Sequence, residues 1–65
     1  MFKVISIEIG YPEDNPYHIS DDKFECEIVC KMVAEKYNSR CFVSENGRYI
    51  FMVDYSGYNK FKKGI

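Results

Sequence analysis

Arg40-Cys41-Phe42-Val43-Ser44-Glu45-Asn46-Gly47-Arg48-Tyr49-Ile50-Phe51-Met52-Val53-Asp54 is the stretch on which the fold turns. Two runs rich in β-branched and aromatic residues flank Asn46-Gly47, a dipeptide favoured in two-residue type I′ turns because both positions there need positive φ. The stretch reads as a β-hairpin. The turn sets an expected register, with Glu45 opposite Arg48, Ser44 opposite Tyr49, Val43 opposite Ile50, Phe42 opposite Phe51, Cys41 opposite Met52 and Arg40 opposite Val53. Because cross-strand partners share a face, this register sorts the hairpin into an aliphatic side (Cys41, Val43, Ile50, Met52) and an aromatic side (Phe42, Tyr49, Phe51, Val53, with Arg40 and Ser44).

Before the hairpin, Cys26, Val29, Cys30, Val33, Ala34 and Tyr37 recur at the i, i+3, i+4, i+7 spacing of a helix face turned to a core. Glu27, Lys31 and Glu35 form a solvated ladder on the far side, and Phe24, Ile28 and Met32 make a second apolar row at the margin. The helix is expected to start at Ser20, whose hydroxyl can cap the first turn. Asp21 and Asp22 then meet the positive end of the helix dipole. Ile19 and Phe24 have the spacing of a hydrophobic staple. The helix is expected to run to about Tyr37, with Asn38 and Ser39 as its exit.

At the N-terminus, Phe2 to Ile9 alternates in the manner of a strand, with Ile5, Ile7 and Ile9 matching the aliphatic side of the hairpin and Phe2 and Val4 the aromatic side. Gly10 ends the strand, and Tyr11-Pro12-Glu13-Asp14-Asn15-Pro16-Tyr17-His18 reads as a loop. The expected architecture is α+β with element order β-α-β-β: one amphipathic helix on one face of a three-stranded sheet containing an antiparallel hairpin. Residues 1–55 would form the domain and 56–65 a basic, aromatic tail that could fold over the sheet.

A chain of 65 residues has room for one core and buries only ~60% of its unfolded surface. Its 46% hydrophobic content excludes the composition of a disordered segment. The apolar opening carries Glu8 and is followed by no small-residue cleavage site, so it reads as a strand rather than a leader. No run approaches the ~18 apolar residues of a membrane span, and the cytoplasm is the expected location. The formal net charge is −1, but residues 1–35 hold three lysines against eight carboxylates and residues 36–65 hold six cations against two.

Little in the sequence points to catalysis. Glycine-rich phosphate loops, H-E-x-x-H and G-x-S-x-G are missing, and one helix on one sheet leaves little depth for a substrate pocket. Three cysteines cannot close a complete disulfide framework within one chain. Cys26, Cys30 and Cys41 are expected as buried free thiols, which behave as small hydrophobes. A zinc site from these three and His18, or a redox pair, fits poorly: C-x₃-C lies within a helix, and no C-x-x-C is present. The lone His18 has no evident catalytic partner. Neither metal nor cofactor is expected.

One helix covers one sheet face, so the aromatic face with Phe2, Val4, Arg40, Phe42, Tyr49, Phe51 and Val53 is left as the expected interface. Phe24, Ile28 and Met32 are secondary interface candidates. These surfaces suggest a small, non-enzymatic, protein-binding module. It would be homodimeric and would act by occupying the surface of another protein. Usage rich in Lys, Asn, Ile, Tyr and Phe suits an AT-rich bacterial or phage accessory gene, and an inhibitor of a host protein is one concrete form. The alternative is single-stranded nucleic-acid binding, with bases stacked on the aromatic face and phosphates met by Arg40, Lys60, Lys62 and Lys63.

Overall fold

A computed structural model describes residues 1–56. The order is β1 (Phe2–Ile5), a 3-10 turn (Ile7–Ile9), β2 (His18–Ser20), α1 (Lys23–Tyr37), β3 (Arg40–Glu45) and β4 (Arg48–Asp54). The helix packs on a fully antiparallel sheet with strand order β2-β1-β3-β4. The α+β class holds, and the sheet has four strands where the sequence suggested three. The extra strand lies in the segment expected as loop and helix start. There, Phe2 pairs with Ser20, Lys3 with Ile19 and Val4 with His18. The tail expected to fold over the sheet falls, from Gly57 onward, outside the described residues.

Helix α1 starts later than Ser20 because Ser20 is taken into β2. Asp22 is the N-cap, its carboxylate accepting from the Glu25 N–H at 3.2 Å. The Ser20 hydroxyl instead accepts from the Asp22 N–H at 3.0 Å. At the other end Asn38 takes a left-handed conformation, φ 50°, and returns its N–H to the Ala34 carbonyl. The exit is therefore where the sequence placed it.

The hairpin turn also forms as expected, with Asn46 at φ 53° and Gly47 at φ 81°. Glu45 faces Arg48 and Ser44 faces Tyr49. Beyond that the ladder shifts at a β-bulge: Val43 faces Phe51, Phe42 faces Met52, Cys41 faces Val53 and Arg40 faces Asp54. Ile50 is the extra residue. An unpaired residue in one strand reverses the faces of all that follow, so Phe51 and Val53 turn toward the helix and Met52 turns away.

The core explains why this register wins. Helix α1 contributes small side chains, Cys26, Cys30, Val33 and Ala34, all buried against Val4, Cys41 and Val43. Larger groups must fill the remaining space for the interior to reach its usual density. Phe2, Phe51, Val53 and Tyr55 pack around that centre, with Ile9 and Val29. Val4 and Phe2 therefore belong to the helix side of the sheet, opposite to the expected face. Tyr37, expected in the stripe, is exposed.

Strand β1 ends at Ile5 because the chain turns through Ile7–Ile9 and Gly10, whose φ of 88° is in the left-handed region open to glycine. The Ser6 hydroxyl, fully buried, donates to the Arg40 carbonyl at 2.8 Å. Ile9 reaches the core through this turn, whereas Ile7 is exposed. Ile5 is fully buried, but it pairs with Phe42 on the face turned from the helix. That face is partly closed by the loop 11–17. Glu13 accepts from the Ser44 hydroxyl at 2.8 Å and pairs with Lys3 at 3.6 Å, and both of those residues lie on it.

Candidate functional site

Among the described residues, the face turned from the helix keeps an open region at its β3–β4 end. Phe42 and Tyr49 stack there with ring centroids 4.4 Å apart and planes 22° from parallel. Met52, the register partner of Phe42, is 53% exposed and Tyr49 is 54% exposed. Arg40 borders the region and its Nε meets Asp54 Oδ2 at 3.5 Å. The hydroxyl and backbone N–H of Ser56 donate to the same carboxylate, and with Arg40 they hold the Asp54 carboxyl below its ordinary pKa.

Of the residues expected at an interface, the structure brings Phe42, Tyr49 and Arg40 together on this face. It does not add Phe2, Val4, Phe51 or Val53, which pack in or around the helix-side core. Met52 takes the place expected of Phe51. No sequence signal announces that exchange, because Tyr49 to Val53 is apolar throughout and either alternate set could face inward.

On the opposite side of the molecule, Phe24 is 69% exposed, Met32 63% and Ile28 44%. At about 100° per residue, Ile28 lies roughly opposite the middle of the buried stripe. These three form the outer ridge of α1 rather than its margin. Beside them is a shallow groove of about 480 Å³ bordered by Tyr17, His18, Val29, Met32 and Lys36. His18 is held on the helix side, its Nε2 meeting Glu25 Oε2 at 2.5 Å. The groove escaped sequence reading because its far wall is the end of the unexpected strand β2.

Cys26, Cys30 and Cys41 are free thiols in a single buried cluster. Burial, followed by the nearby Glu25 and Asp22 carboxylates, pushes Cys26 up, and its thiol donates to the Phe2 carbonyl at 3.6 Å. A hydrogen bond shared with Cys41, then burial, pushes Cys30 up. That bond, helped by the Ser6 and Ser39 hydroxyls, makes Cys41 the more acidic member of the pair. Among the described residues no three His, Cys, Asp or Glu side chains are gathered as a metal site. No helix there is long and apolar enough to cross a membrane.

Compared with known proteins, the chain matches no family model, no curated protein and no solved structure.

Proposed function

We propose that the chain is a small, non-enzymatic binding module that engages another protein through the Phe42, Tyr49 and Met52 surface. The observation that carries this reading is the Phe42–Tyr49 stack, left uncovered by the described residues on a sheet face that the loop 11–17 partly closes. Stacked rings present a large, flat, rotamer-poor area to a partner, and such residues dominate the energetics of protein interfaces. Met52 beside them adds a side chain that adapts to an irregular partner surface. The three free thiols suit a reducing compartment, hence the cytoplasm. Lys, Asn, Ile, Tyr and Phe usage suits a bacterial or phage accessory protein, and occlusion of a host protein's surface is the concrete form proposed.

The test places a photo-crosslinking side chain at Met52 in the full chain expressed in bacterial cells. One protein species, competed away by the unmodified chain and lost with Phe42→Ser plus Tyr49→Ser, supports the reading. Titration of single-stranded DNA and RNA at low and moderate salt supplies the contrary outcome. Tight, steeply salt-dependent binding that needs Lys60, Lys62 and Lys63 would replace the protein partner with a nucleic acid.

A further inference from the structure

We infer that the outer ridge of α1 is a self-association surface, occupied by the same ridge of a second copy running antiparallel. The inference goes beyond the sheet-face reading and uses the other side of the molecule.

Two rows on the helix carry it. The first is Phe24, Ile28 and Met32, spaced by four residues and all exposed, with Phe24 and Met32 among the most exposed large apolar side chains described. Helix rise sets successive members about 6 Å apart. A row of this kind in water gains by burial. The identity of the partner comes from the second row, Lys23, Glu27, Lys31 and Glu35, which runs parallel to the first along one flank.

This second row alternates in sign at four-residue intervals. Reversing its direction turns each cation into an anion at the same height. A second copy related by a two-fold axis at the height of Val29 therefore sets Lys23 level with the partner's Glu35, and Glu27 level with the partner's Lys31, with both pairs repeated by symmetry. In a parallel two-fold pair the two rows fall on opposite flanks and do not meet. The same axis leaves Phe24 about 3 Å from level with the partner's Met32, within reach of a favourable sulfur–ring contact, and offsets Ile28 from the partner's Ile28 by the same amount. Antiparallel helices also oppose their dipoles.

Nothing within the described residues uses this charge pattern fully. Lys23 and Glu27 meet only at 3.9 Å, with Lys23 exposed and Glu27 half-buried. Lys31 and Glu35 have no ion-pair partner among the described residues. The ladder is thus available to a partner, and its order along the helix fits a copy of itself.

Sedimentation equilibrium of the full chain across a concentration series tests the inference, with circular dichroism confirming that each variant keeps its helix. The wild type is expected to reach twice its 7.7 kDa chain mass. Ile28→Glu should leave a folded monomer. Lys31→Glu should weaken the dimer roughly tenfold, because two cross-chain attractions become repulsions. The double exchange Glu27→Lys with Lys31→Glu restores opposite signs across the axis, so it should recover most of the loss.

A folded wild type that stays monomeric at millimolar concentration would overturn the inference. So would a dimer unaffected by Ile28→Glu, or a double exchange no better than Lys31→Glu alone. A dimer broken by Phe42→Ser plus Tyr49→Ser instead would move self-association to the sheet face. Because crosslinking at Met52 reads the other surface, failure of either reading is recognised separately.

Discussion

Phe51 faces Val43 across the hairpin, and Ile50 has no partner on β3. Deleting Ile50 should therefore leave Phe51 opposite Val43 in a regular ladder, with the fold retained. Deleting Met52 would instead bring Val53 opposite Phe42 and draw the charged Asp54 opposite the buried Cys41. Thermal melts should show a folded Ile50 deletion and an unfolded Met52 deletion. Cross-strand NOEs between Val43 and Phe51 in the former check the register directly.

The same register separates two phenylalanines that the sequence placed side by side. Phe51 packs against the helix-side core and Phe42 does not. Phe51→Ser should cost about 3 kcal/mol in urea unfolding, near the cost of emptying a core aromatic site. Phe42→Ser should cost well under half of that. Equal losses would mean that the outer rings are as deeply packed as the inner ones.

Asp22, rather than Ser20, caps α1. Asp22→Ala should remove about 1 kcal/mol, the usual worth of an N-cap. Ser20→Ala, which loses only the bond from the Asp22 N–H, should remove less. Denaturant midpoints in the two variants give the order, and a larger loss at Ser20 would return the cap to β2.

Two of the thiols give a pH dependence of defined sign. Cys26 and Cys30 are held above their ordinary value of 9.0 in the folded chain. As pH rises, the unfolded chain gives up these protons first, so the folded state loses stability relative to it. This contribution is whole below pH 9.0 and declines as the pH climbs above it. Guanidinium midpoints measured from neutral to alkaline pH should fall beyond that point. Cys26→Ala should fall less steeply than the wild type, whatever its absolute stability.

The parts of this fold legible in the sequence are those fixed by local chemistry. Asn46-Gly47 can hardly be anything but a tight turn, and the Cys26–Cys30–Val33–Ala34 stripe has only one way to face a core. Strand β2 was not legible: three residues, His18-Ile19-Ser20, are too few to show a period, and they are extended because β1 has an edge to pair. The two faces of β1 were exchanged for a related reason. With neighbours on both sides, the helix above and the loop 11–17 below, Val4 and Ile5 are both buried, so alternation alone could not choose between them. For the candidate site, Phe42 and Tyr49 followed from the turn because they lie before the bulge or beside it. Phe51 and Val53 lie beyond it and changed sides.

The bulge at Ile50 has a bearing on solubility as well. Strand β4 lies at the border of the sheet, and Tyr49 to Val53 is an uncharged, β-prone run of the sort that seeds fibrils when it is straight and accessible. A kink in mid-strand spoils the flat template that a further strand would need. The opposite border, β2, is only three residues long. Both edges thus discourage runaway stacking of chains, one by its shape and the other by its brevity. Removal of Ile50 should accordingly spare the fold in dilute solution and raise its tendency to aggregate at high concentration.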